Sequence, residues 1–98
     1  MPEVRLSKRA LRDFKSISHY TLETWGEAQA FRYVEDLELF LNQLAQRPML
    51  GRLCTDIASG LRRFEHGKHI IFYRPRRDGI FVVRILHRKM DPQKHISE

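Results

Sequence analysis

Two apolar stripes of helical period, separated by a single glycine, constrain this chain more than anything else in its sequence. From Lys8 the positions Ala10, Leu11, Phe14, Ile17, Thr21 and Trp25 recur mostly at steps of three and four, which is one face of an α-helix. Ser7, just before them, has N-cap chemistry, and Gly26 suits a C-terminal cap. Ala30, Phe31, Val34, Leu37, Leu41, Leu44 and Ala45 form the second stripe, which Pro48 stops. A second helix is therefore expected from about Glu27 to Gln46. Two helices joined so tightly fold back as an antiparallel hairpin, and its apolar side needs a second layer to be buried against.

The rest of the chain supplies that layer. Arg47 to Gly60 carries Pro48, Gly51, Ser59 and Gly60 without a period and reads as a connecting loop. Beyond it the pattern becomes extended: Leu61–Phe64, His69–Pro75 and Ile80–His87, with turns at His66-Gly67 and Asp78-Gly79. Val4, Arg5 and Leu6 are a short extended segment ahead of Ser7. The expected architecture is α+β, a two-layer sandwich in the order β-α-α-β-β-β, its helical hairpin packed on a mainly antiparallel sheet and its 98 residues forming one domain. A two-residue turn at Asp78-Gly79 sets Phe72 opposite Ile85, Tyr73 opposite Arg84 and Ile71 opposite Leu86. Alternation then places Leu61, Ile70, Phe72, Val83 and Ile85 under the helices. Arg62, Phe64, His69, Ile71, Tyr73, Arg84 and Leu86 fall on an open face that mixes cations, aromatics and aliphatics.

Composition narrows the function classes. No apolar run approaches the ~20 residues of a membrane span, and the N-terminal residues lack the apolar core of a secretory signal. Cys54 is the single cysteine, so an internal disulfide and a multi-cysteine zinc site are excluded and a reducing, cytoplasmic setting is expected. The formal charge is +6. Residues 1–50 balance seven Lys/Arg against seven Asp/Glu, whereas residues 51–98 hold eleven against five. The whole excess therefore lies in the second half, where it attracts anionic partners. Nucleic acid, a nucleic-acid-bound enzyme and an acidic protein segment all satisfy it.

Few residues suggest chemistry of their own. The five histidines form no His-x-x-x-His pair or close carboxylate cluster, so no metal is expected. His69 and His87 end strands beside cations, where RNA cleavage is chemically possible. Cys54 reads as a part-buried small hydrophobe. Phosphate-loop, nucleophile-elbow and dinucleotide motifs are missing, and no cofactor is expected. Trp25 reads as a packing anchor for the hairpin. Arg76 and Arg77 read as solvated hairpin-tip residues, and Arg62 and Arg84, beside Tyr73 and Phe64, as the better candidates for binding.

Several motifs in order carry a family resemblance: Trp25-Gly26 with Gln29-Ala30 and Tyr33, then Pro48 and Gly51, then Gly60-Leu61-Arg62-Arg63-Phe64. Gly67 to Arg74, Val83 to His87 and finally Met90-Asp91 complete the series. From about residue 3 to residue 91 the chain resembles the ParE toxins of the RelE/ParE superfamily of bacterial type II toxin–antitoxin systems. The resemblance implies a toxin that is no enzyme itself. It would stabilise the cleaved-DNA complex of DNA gyrase, block replication, and be held inactive by a cognate ParD-like antitoxin. RelE-like ribosome-dependent mRNA endonucleases share the fold and are the alternative. In that reading Arg62 and Arg84 would hold a phosphate and His87 would shuttle a proton.

Two surfaces are expected. Arg62, Tyr73, Arg84 and Leu86 should converge on the open face with His87, Arg88, Lys89 and Asp91 at its edge, forming the gyrase contact. Leu22, Leu39 and Phe40 lie outside the stripe assigned to the sheet, and an antitoxin segment that folds on binding would cover them.

Overall fold

In the computed structural model residues 2–96 are described, so Met1, Ser97 and Glu98 of the expected domain lie outside the described residues. The elements are β1 (Glu3–Leu6), α1 (Lys8–Trp25), α2 (Glu27–Gln46), β2 (Arg52–Leu53), β3 (Arg62–His66), β4 (His69–Arg76), β5 (Gly79–His87) and a one-turn α3 (Pro92–His95). Both long helices occupy their expected spans. Ser7 caps α1 by accepting from the Ala10 amide at 2.9 Å, and its hydroxyl donates to the Val83 carbonyl at 2.7 Å. One side chain thus starts the helix and ties it to the sheet.

The sheet has the order β1-β5-β4-β3-β2, with β1 parallel to β5 and the other neighbours antiparallel. The two-residue β2 is an addition to the expected order, drawn from the loop after Pro48. Gly79 permits the close approach of β1: a Cβ there would stand 1.9 Å from the Glu3 carbonyl oxygen, and its φ is 151°. No β-branched or bulky residue fits that site.

Both turns lie one residue later or earlier than expected. His66 pairs with His69, and Arg76 with Gly79, so Gly67-Lys68 and Arg77-Asp78 are the loops. A bulge then separates two registers: Phe72 faces Arg84, Tyr73 faces Val82, and Val83 is the extra residue.

The assignment of faces is corrected more deeply. Ile71, Tyr73, Ile80, Val82 and Ile85 pack under Ala10, Ile17, Leu37, Leu41 and Leu44 of the helices, with Phe64 beside them. Leu61, Ile70, Phe72 and Val83, expected under the helices, share the opposite face with Leu86. That face is not open. Cys54, Ile57 and Ala58 of the loop and Met90 and Ile96 of the tail cover its centre. Alternation sorts side chains into two sets, but His69-Ile70-Ile71-Phe72-Tyr73 is apolar on both, as strands buried on both faces are. Ile85 under the helices and Leu86 on the opposite face keep their expected sides, because the bulge restores the alternation beyond Val83.

Candidate interaction surfaces

Tyr73 and Arg62, Cα partners across β3 and β4, both hold the Pro48–Gly51 segment. The buried Tyr73 hydroxyl donates to the Pro48 carbonyl and accepts from the Gly51 amide, each at 2.8 Å, and burial pushes its pKa up. A Cβ on Gly51 would meet that hydroxyl at 2.6 Å, so glycine is required there. Arg62 donates from the same guanidinium nitrogen to the Met49 and Gly51 carbonyls. Tyr73 therefore does not sit on an open face, because the face it occupies is the one the helices bury.

Arg84 is likewise engaged within the fold. Its Nε and Nη2 donate to the two carboxylate oxygens of Asp13 at 2.8 and 3.0 Å, and its Nη1 donates to the His95 carbonyl at 2.8 Å. Both side chains of this pair are only 13–14% exposed. β1 pairs with β5 only as far as Val82, which leaves the next stretch of β5 without a strand on that side. Asp13 fills the gap by also accepting from the Ile85 amide at 3.0 Å. A helix carboxylate thus finishes the sheet edge. Leu86 is 1% exposed in the second core cluster. The expected convergence of Arg62, Tyr73, Arg84 and Leu86 on one solvent-facing surface does not occur.

What is exposed at that side is the sheet end where β5 finishes. Arg88 pairs with Glu65 at 3.0 Å, the His87 Nδ1 accepts from the Lys89 amide at 3.1 Å, and the Asp91 side chain caps α3 through the Gln93 amide at 3.0 Å. Next to them α2 is bracketed to the sheet by aromatic and imidazole rings. Tyr33 Oη lies 2.5 Å from His69 Nδ1, Phe40 stacks on His66 at 4.6 Å, and His87 meets His69 edge-on at 5.6 Å. Burial, then the neighbouring His87, His66 and Lys68, hold the His69 pKa below the usual imidazole value. Among the described residues no three His, Cys, Asp or Glu side chains are grouped as metal ligands would be. Cys54 is buried, donates to the Leu61 carbonyl at 3.4 Å, and burial pushes its thiol up, so it stays protonated and apolar in character.

The other distinctive surface is the far end of the helical hairpin. Between residues 18 and 34 only the small Thr21 and Ala30 are buried, while Tyr20, Leu22, Trp25 and Phe31 are exposed, Phe31 to 68%. Leu22, Phe31, Val34 and Ala30 line a shallow, mainly apolar groove of about 880 Å³. Of the three positions expected to meet a partner, Leu22 lines this groove, and Leu39 is exposed but stands apart from it. Phe40 is instead part-buried against Phe64 and His66. Trp25, expected to anchor the packing, is 61% exposed. The sequence stripe that assigned Trp25 and Phe31 to the core runs on past the part of the helices that the sheet covers.

A helical hairpin laid on a five-stranded mixed sheet is a fold shared with a solved structure. The structure of the chromosomal ParDE TA system from P. aeruginosa matches with a TM-score of 0.72 over 89% of this chain and 96% of that one, at 20% sequence identity. Residues 4–92 match the family described as the ParE toxin of the type II toxin-antitoxin system, parDE. Toxin ParE1 of Mycobacterium tuberculosis is 36% identical over 92 residues, covering 93% of this chain and 94% of its own. Toxin ParE1 of Caulobacter vibrioides is 33% identical over 99 residues, covering 99% and 100%. The chain belongs to the ParE toxin family of type II toxin–antitoxin systems.

Proposed function

We propose that this toxin acts by binding DNA gyrase and stabilising its cleaved-DNA complex, and that a ParD-like antitoxin encoded beside it holds it inactive. The observation that carries the antitoxin half is the apolar end of the hairpin. Leu22, Trp25 and Phe31 expose large side chains at one end of two otherwise amphipathic helices, and Leu22 and Phe31 share a groove. An apolar helix face from a segment that folds on binding suits such a groove. His87, Arg88 and Lys89, with Asp91, remain as the gyrase-facing set; Tyr73 and Leu86 are buried and serve the fold.

The toxin inhibits its target by occupancy and not by cutting RNA. For the mRNA endonuclease, Arg62, Arg84 and His87 would have to meet at one phosphate. Arg62 is tied to the Pro48–Gly51 segment and Arg84 to Asp13. Arg62 also lies four residues along β3 from the His66–His69–His87 row, roughly 13 Å at strand rise. That separation supports the gyrase reading over the endonuclease.

Purified toxin should inhibit gyrase supercoiling and accumulate cleaved DNA, and should leave ribosome-bound mRNA intact. Cleavage of ribosome-bound mRNA with gyrase unaffected would overturn the proposal.

A further inference from the structure

The face of the sheet away from the helices is covered at its centre but bare near the β4–β5 turn, and what stands there is cationic. Phe81 lies between two arginines in neighbouring strands, Arg5 of β1 and Arg74 of β4, each its direct Cα partner. Arg76, two residues beyond Arg74 and so on the same face, places its guanidinium 4.9 Å from the centroid of the Phe81 ring. Arg77 follows in the turn. Arg74, Arg76 and Arg77 make no ion pair with any of the described residues; Arg74 donates from Nε alone, to the Ser59 carbonyl at 3.3 Å. The acids nearby are Asp78, in the turn, and Glu3, which pairs with Arg5 at 3.3 Å. An equivalent row one step along the sheet, Arg63–Phe72–Arg84, is spoken for: Phe72 is buried and Arg84 is bound to Asp13.

We infer that this arginine face is a docking surface for the sugar–phosphate backbone of double-stranded DNA. Arginine forks held on strands and against an aromatic ring suit phosphate oxygens, because the planar donors are preorganised. Single-stranded nucleic acid is usually gripped by exposed rings on which bases stack. Here Arg76 overlies the only aromatic ring of the row, which favours a duplex whose bases are turned inward. An acidic protein segment would need apolar anchors beside the charges. None of the large exposed hydrophobic side chains among the described residues, from Leu11 to Leu53, belongs to β4 or β5. The inference does not depend on gyrase being the target, since it concerns the toxin alone with DNA.

The test is fluorescence anisotropy of the purified toxin with a labelled 20-base-pair duplex of mixed sequence, across a salt series. Three arginines without an ion pair predict a log–log salt slope of about −2.7. R74Q/R76Q should bind roughly tenfold or more weakly at low salt and lower the slope by about 1.8. R76E, which alters only an exposed side chain, should weaken binding without changing the melting temperature. The charge-matched R12Q/K15Q, on the solvent side of α1, should leave the slope unchanged. Equal loss from both double variants would overturn the inference by reducing it to net charge. So would tighter binding of single-stranded DNA, single-stranded RNA or a polyglutamate peptide than of the duplex. A failure of gyrase inhibition with these DNA results intact would count against the proposed target and leave this surface standing.

Discussion

The two halves of the helical hairpin carry the same amphipathic pattern and meet different fates. In the half away from Gly26, Ala10, Ile17, Leu37, Leu41 and Leu44 are packed on the sheet and almost wholly buried. In the half around Gly26, Leu22, Trp25 and Phe31 face outward. A stripe of period 3.6 records only that a helix has an apolar side; how much of it the same chain covers depends on the reach of the second layer. Here the layer stops short, and the surplus is left exposed, where the proposed antitoxin contact would cover it.

Substitutions in the two halves should therefore separate stability from binding. Leu44→Ala should cost about 2–5 kcal/mol of unfolding free energy by leaving a cavity in a sealed core, measurable by denaturant titration. Phe31→Ala in the other half should change stability by no more than about 0.5 kcal/mol. Equal losses at the two sites would break the comparison. Asp13→Ala, at the sheet edge above the covered half, should cost about 2–4 kcal/mol, because Arg84 and the Ile85 amide lose a shared acceptor at a site mostly shielded from water. Any loss of toxicity in that variant should track the loss of folded protein, as seen by circular dichroism. On the binding side, Leu22→Ser with Phe31→Ser should weaken antitoxin affinity by roughly 30-fold or more, about 2 kcal/mol, with the melting temperature nearly unchanged.

The smallest expected effect is at the histidine bracket that holds α2 to β3 and β4. His69 faces Tyr33 from α2, His66 from β3, Lys68 from the turn and His87 from β5. Its folded-state pKa is depressed, so the folded state binds fewer protons than the unfolded one as pH falls. The stabilisation is complete above the unfolded value of about 6.5 and is lost as pH drops through the folded value. Stability measured between pH 7.5 and 5 should decline, and His69→Gln should flatten that decline. A slope unchanged by the substitution would remove His69 as its source.

Much of this was legible in the residues. Ser7, Gly26 and Pro48 mark the helices because capping and chain-breaking are local properties. The extended segments and their order were equally readable. Which face of the sheet lies under the helices was not, since both faces are apolar and alternation is symmetric between them. The bulge at Val83 and the two-residue β2 depend on pairing partners far away in sequence. For the same reason Tyr73 looked like a surface aromatic: its hydroxyl finds Pro48 and Gly51 only after the loop folds over the sheet end. Asp13 carries no local signal because its partner, Arg84, stands 71 residues away. The cationic character of the second half is plain in the sequence, but Arg76 and Arg77 at a hairpin tip have the pattern of solvated residues, and only the pairing of Arg5, Phe81 and Arg74 brings them into one face.

Trp25 offers the most direct measurement. It is the single tryptophan of the chain and it stands 61% exposed at the uncovered end of the hairpin. Its emission and acrylamide quenching should be recorded for the toxin alone and with a tryptophan-free form of its antitoxin. Burial of the hairpin end by the partner predicts a blue shift and a marked fall in quenching on complex formation. A stable complex in which both remain as they are in the free toxin would contradict it.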